Sequence, residues 1–142
     1  MTSSDEPRTI RIVAALIADG DGRTLLVRKR GTAKFMLPGG KPDPGETDLA
    51  ALAREIEEEL GCALDRDSCV DLGEFASPAA HEPGFTVSAR LFATALRERV
   101  RARGEIEELA WVDPDEDPGL DLAPLARAHA LPIARELKRE RR

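Results

Sequence analysis

The chain contains no tyrosine, and aromatic residues make up only 4% of its 142 positions. Few rings are therefore available to sandwich a planar ligand: Phe35, Phe75, Phe85, Phe92 and Trp111. Two cysteines, Cys62 and Cys69, are too few for a disulfide framework and lack a metal-binding spacing. No run approaches the roughly 18–20 apolar residues that would cross a bilayer. The N-terminus, MTSSDEPRTI, has acids and a proline where a secretory signal needs a basic start and an apolar core. The expected setting is cytoplasmic, with no membrane partner. A net charge of −6 argues against a nucleic-acid polymer as partner, because such proteins need a basic face.

What remains is a length suited to one domain spanning 1–142, with 42% apolar and 34% charged residues. Residues 1–8 are polar and expected to be loose. Thr9–Ala18 and Thr24–Arg30 are β-branched and apolar around Asp19-Gly20-Asp21-Gly22, which predicts a β-hairpin. Phe35-Met36-Leu37 precedes the breaker Pro38-Gly39-Gly40. A helix is expected from a Thr47 or Asp48 cap to Leu60, ending at Gly61. Its apolar stripe is Leu49, Leu52, Ala53, Ile56 and Leu60. Further strands are expected at Cys69–Ala76, Phe85–Ala95 and Leu109–Val112, with Ser77–Gly84 as a loop. The tail predicts a short helix from Leu122, a break at Pro132, and a second helix. The sum is an α/β (α+β) fold, a mixed β-sheet with a helix on each side.

The chemistry concentrates in GKPDPGETDLAALAREIEEELGC, Gly40 to Cys62. Glu55, Glu58 and Glu59 stand at i, i+3 and i+4 and so share a helix face, rotated away from the apolar stripe. Like charges at that spacing repel by a few tenths of a kcal/mol per pair, about 0.2–0.5. Two of them also crowd the helix C-terminus, which disfavours anions. A divalent cation would relieve this, since hard cations take carboxylate oxygens. On charge alone, a solvated acidic face with an Arg54–Glu58 pair is the better explanation of the run.

The spacing decides between them. Gly40, five residues, Glu46, seven residues, Arg54-Glu55, then Glu58-Glu59 and Gly61 resembles the signature box of the Nudix family. With independent residue usage, a chance match has a probability on the order of 10⁻⁸ to 10⁻⁹ per start position. One departure is Cys62, where the box usually carries a branched aliphatic; cysteine packs as a small hydrophobe. The box covers about a sixth of the chain. The likeness extends to the segment leading into Leu37-Pro38-Gly39-Gly40 and to Glu105-Ile106-Glu107-Glu108 ahead of Trp111-Val112.

The resemblance implies a Nudix-type α/β/α sandwich that hydrolyses a diphosphate linkage by attack of a metal-activated water on phosphorus. It implies a Mg2+ (or Mn2+) cofactor held by Glu55, Glu58, Glu59 and the Gly40 carbonyl. Glu55 is a ligand or the base acting on water. Arg54 completes the catalytic set by orienting neighbouring carboxylates, and Glu46 is structural. The expected partner is a small-molecule nucleoside diphosphate derivative, with a homodimer as an open option for assembly. A Nudix-fold nucleotide-binding or regulatory module without catalysis is the alternative; the intact box glutamates argue against it.

Other residues stay open at this level. Arg28, Lys29, Arg30, Lys34 and Lys41 either face solvent or contact substrate phosphates. Glu108, then Glu105 or Glu107, is a candidate for an extra ligand or base from a loop. His81 is incidental or a general base, while His129 is structural. Trp111 is core or a stacking platform. Pro78 lies near where ADP-ribose-hydrolysing members carry a proline, but Ser-Pro also suits a turn. Substrate identity is not fixed by these residues.

Overall fold

The computed structural model describes residues 8–140. The first strand, β1 (Arg8–Ile17), runs through the middle of a four-stranded mixed sheet of order β4-β1-β6-β5. Its neighbours are β4 (Gly39–Gly40), β6 (Phe85–Thr94) and, beyond β6, β5 (Val70–Pro78). β1 and β6 are parallel, whereas β1–β4 and β5–β6 are antiparallel. A second sheet, antiparallel, orders β3 (Phe35–Met36), β2 (Thr24–Lys29) and β7 (Ile106–Val112). The helices are α1 (Asp48–Leu60) and α2 (Leu131–Glu140). Among the described residues, no helix is long and apolar enough to cross a membrane.

Alternation along the strands builds the sandwich. Successive side chains on a strand point to opposite faces, and β1 uses both. Val13, Ala15 and Ile17 pack with Leu52, Ile56 and Leu60 of α1. Ala14 and Leu16 pack with Ala130, Leu131 and Ala134 of the tail helix. β2 divides likewise, with Leu25 and Val27 on the α1 side and Leu26 on the other. The sheets therefore lie between the two helices, as the sequence predicts. Ile56 has no exposed surface; truncating such a side chain to alanine costs about 2–5 kcal/mol.

The predicted hairpin does not form. After the turn, Ala18 and Thr24 share one bridge, and then the strands separate into different sheets. Both edges of β1 are already taken, by β6 along one side and by Gly39–Gly40 opposite Val13 and Ala14 on the other. Ala15 N–H also donates to the Pro38 carbonyl at 2.9 Å. The expected breaker is thus itself a pairing segment. Smaller differences follow the same logic of long-range pairing. Arg8, expected to be loose, already pairs with Phe85, while residues 1–7 of that expected loose segment lie outside the described residues. Ser77 and Pro78, expected in a loop, pair with Val87 and Thr86. β7 begins at Ile106, three residues ahead of expectation.

The tail does not break at Pro132. A π turn at Ala126–Ala130 leads directly into α2, with Leu131 N–H donating to the Ala126 carbonyl. Proline lacks an N–H and its ring collides with the carbonyl four residues back. Widening the preceding turn to i→i+5 bonding accommodates the ring without ending the helix.

Candidate active site

α1 starts where local chemistry says it should. The Thr47 hydroxyl accepts from Ala50 N–H, and Gly61 closes the helix in the left-handed region at φ 70°. Asp48 in the first turn receives Arg11 at 2.7 and 2.8 Å, which ties the helix to β1. The C-terminal half of α1 then faces the Gly39–Gly40 pairing segment.

Three box glutamates meet three different environments. Glu59 is buried, only 6% exposed, beside Ile56 and Leu60 rather than on an outward face. Its Oε1 accepts from Gly39 N–H at 3.2 Å. Burial pushes the Glu59 carboxyl up to about 8; the Gly39 N–H opposes this and the Glu55 charge adds to it. Burial also raises Glu55, against the opposing pull of Arg54. Glu58 is turned outward, with its side chain 59% exposed and 3.6 Å from Arg54 Nη1. The predicted Arg54–Glu58 pair is therefore present but is not Arg54's main contact. As packed here, no three His, Cys, Asp or Glu side chains among the described residues converge into a ready-made cation cage.

Arg54 organises the loop before the helix. Its Nε and Nη2 donate to Glu46 at 2.8 Å each, Nη1 to Glu55 at 3.1 Å, and Nη2 also to the Lys41 carbonyl at 3.1 Å. Glu46 holds the loop's other end by accepting from Asp43 N–H at 2.7 Å. The guanidinium and that N–H bring Glu46 down to about 2, and Glu46 in turn raises Arg54.

Gly40 sits directly against Glu55: a Cβ there would stand 2.6 Å from the Glu55 Cδ. Gly39 is at φ 149°, and a Cβ on it would collide with the Val13 carbonyl. Backbone contact requires glycine at 39, whereas at 40 the absent Cβ makes room for the Glu55 carboxylate.

These residues form one wall of a cavity of about 670 Å³, which Gly40, Arg54, Glu55 and Glu58 all line. The structure also sorts the candidates that sequence left open. Lys29, Lys41, His81, Pro78 and Glu105 line the cavity. Arg28 instead holds Glu108 at 3.1 Å and the Thr32 carbonyl at 2.9 Å. Arg30 lies 3.7 Å from Glu107, and Lys34 pairs with Asp121. Glu105, ranked below Glu108 on sequence, is thus the acid of that segment that reaches the cavity. A register irregularity between Arg28 and Lys29 shifts the β2–β7 pairing, which sequence alone does not reveal. Trp111 packs in the core on the α1 side. His129 donates to the Ala76 carbonyl at 3.0 Å and lies against Phe75, a structural placement.

The chain matches the family model described as NUDIX domain over residues 8–136. It belongs to the Nudix family. A Mycobacterium tuberculosis protein provisionally named 8-oxo-dGTP diphosphatase 2 is 33% identical over 121 residues, covering 82% of this chain and 83% of the relative. An ADP-ribose pyrophosphatase of Methanocaldococcus jannaschii is 29% identical over 107 residues, covering 73% of this chain and 62% of its own. Among solved structures, a MutT NUDIX hydrolase from Burkholderia pseudomallei superposes with a TM-score of 0.70 at 30% identity, covering 91% of this chain and 97% of that one. The protein is accordingly a MutT-like Nudix pyrophosphohydrolase, and its reaction is hydrolysis of a pyrophosphate linkage.

Proposed function

We propose that this Nudix enzyme cleaves the diphosphate linkage of a small nucleoside diphosphate derivative, using Mg2+ or Mn2+ held by Glu55, Glu58, Glu59 and the Gly40 carbonyl. The observation that carries this reading is the Glu55–Glu59 pair. Glu59 is buried and Glu55 largely so, four positions apart on one helix face beside a glycine with no Cβ. A buried like-charge pair is costly unless something positive sits with it. Hard divalent ions take such oxygen donors, so the donor set fits. Glu58, one turn away and exposed, lines the same cavity.

When bound, such an ion lowers the pKa of a water ligand and offsets phosphate charge. The chain's own contribution is positioning. Gly39 N–H fixes the Glu59 carboxyl, and Arg54 fixes Glu55 against the Lys41–Glu46 loop. Lys29 and Lys41, which line the cavity, are read as meeting the phosphates, and Glu55 or Glu105 as taking the proton from the attacking water. The family match over residues 8–136 supports reading the chain as one domain.

The test is turnover of a panel of nucleoside triphosphates, ADP-ribose, nucleotide sugars and dinucleoside polyphosphates, with and without Mg2+ or Mn2+. Release of a nucleoside monophosphate that stops on chelation is expected. Glu58→Gln and Glu59→Gln each lower kcat by about 10³-fold, a magnitude typical of removing an essential charge from such a site, with unchanged circular dichroism. Full activity in both variants, or activity without any divalent ion, sinks the assignment.

A further inference from the structure

The catalytic wall is only one end of the 670 Å³ cavity. Its floor runs outward along β1 from Ala14, which pairs with Gly39, through Ile12 to Ile10. Four residues of strand span about 13 Å, the length needed to lay a nucleoside beyond a diphosphate held at Gly40. Val87, the partner of Ile10 on β6, extends this floor, and Leu125 from the start of the tail helix lies over it.

What lines this outer half is aliphatic. Among the described residues no Phe or Trp side chain lines the cavity, and the chain contains no tyrosine, asparagine or glutamine at all. Amide side chains present a donor and an acceptor side by side, the pattern that matches a base edge. Of the polar side chains that line the cavity, Asp43, Glu55 and Glu58 stand within reach of Arg54 on the catalytic wall, and Lys29, Lys41 and Glu105 are those assigned above to phosphate and proton. The Thr32 hydroxyl donates to the Lys29 carbonyl at 2.8 Å, and Arg54 is held by Glu46. His81 and Glu82 are exposed at the rim.

We infer that this site grips the organic half of its substrate by aliphatic contact and does not read the base edge, so that it accepts nucleoside phosphates largely irrespective of base. The inference rests on the hydrolase reading above and adds the substrate class. Its magnitude follows from general recognition chemistry. A site built to hydrogen-bond a substrate group rejects analogues lacking it by about 10⁴–10⁵-fold, whereas an apolar pocket separates similar groups by about 10–200-fold. Oxidation of guanine at C8 changes N7 from acceptor to donor, a difference that only hydrogen-bonding side chains or backbone detect. An aliphatic wall is indifferent to it, in contrast to what the name of the Mycobacterium tuberculosis relative suggests for that protein.

The experiment measures kcat/KM for dATP, dCTP, dGTP, dTTP and 8-oxo-dGTP with Mg2+, and in parallel Kd for the non-hydrolysable α,β-methylene analogues of the four ordinary bases. The expected result is a spread within about 100-fold in both series, with Ile10→Ala raising KM for every base by a similar factor. A wider spread in kcat/KM for one base, or an I10A effect confined to one base, overturns base indifference and leaves the hydrolase reading standing. No turnover with evenly bound analogues removes hydrolysis of these substrates and leaves the recognition inference standing. No binding of any analogue overturns both.

Discussion

Arg54 and Glu46 are joined by two parallel hydrogen bonds of 2.8 Å, across the loop that carries Gly40 into the helix. The same guanidinium reaches Glu55 on the next position of α1. Loop position and carboxylate position are therefore set by one rigid planar group. Lysine keeps the charge but cannot reproduce the fork. Arg54→Lys is expected to lower kcat by about 10–100-fold, the usual cost of losing a group that orients a metal ligand. KM should change less, since Arg54 acts through Glu55. A loss confined to KM would instead place Arg54 on the substrate.

The same pair sets an acid limit. Glu46 is held down at about 2, from an ordinary value near 4.5, first by Arg54 and then by the Asp43 N–H. A carboxyl whose folded value lies below its unfolded one stabilises the fold fully above the unfolded value. That contribution disappears as pH falls from about 4.5 toward about 2. Urea midpoints measured at pH 7 and at pH 3 should therefore differ less in Glu46→Gln than in the parent chain. An equal difference in both would show that the carboxyl is not coupled to folding.

What is legible in the sequence depends on the range of the interaction. α1 was readable because Thr47, Gly61 and the Leu52/Ile56/Leu60 stripe act within a turn or two of chain. The family and its reaction class are legible because the box spacing is local too. The separation of β1 from β2 was not, because it depends on Gly39–Gly40 occupying the edge of β1 from more than twenty residues away. Burial of Glu59 is not legible in the sequence for a related reason. Its wheel position borders Ile56 and Leu60, and only the approach of Gly39 makes that border an interior. The choice between Glu105 and Glu108 likewise turned on a strand register.

Adjacent glycines should respond differently to alanine. At Gly39 the new Cβ meets the Val13 carbonyl and Ala14 Cα, both backbone in the centre of the sheet, and φ is 149°. Backbone cannot yield cheaply, so Gly39→Ala is expected to cost about 3 kcal/mol of stability. At Gly40 the Cβ meets the end of the Glu55 side chain, which can swing aside. Gly40→Ala should then stay near parental stability yet lose most of its turnover, because Glu55 has left its place. Denaturant melts and initial rates on the two variants separate these outcomes. Equal destabilisation of both would mean that the Glu55 carboxylate is as fixed as the sheet.

Away from the site, Thr24 tests the interior of the fold. It begins β2 on the same face as Leu26, toward the tail helix, and it is 1% exposed. Its hydroxyl has no hydrogen-bond partner among the described residues. It borders a second cavity of about 400 Å³ under Ala134 and Leu137. An unpaired buried hydroxyl costs about 1–3 kcal/mol, and valine fills nearly the same volume without it. Thr24→Val should therefore raise stability by about 1 kcal/mol, read as a higher urea midpoint with unchanged slope. Activity should not move, because the substitution lies at the end of β2 remote from Lys29. A lower midpoint would show that the hydroxyl is bonded in solution and that this cavity holds water against it.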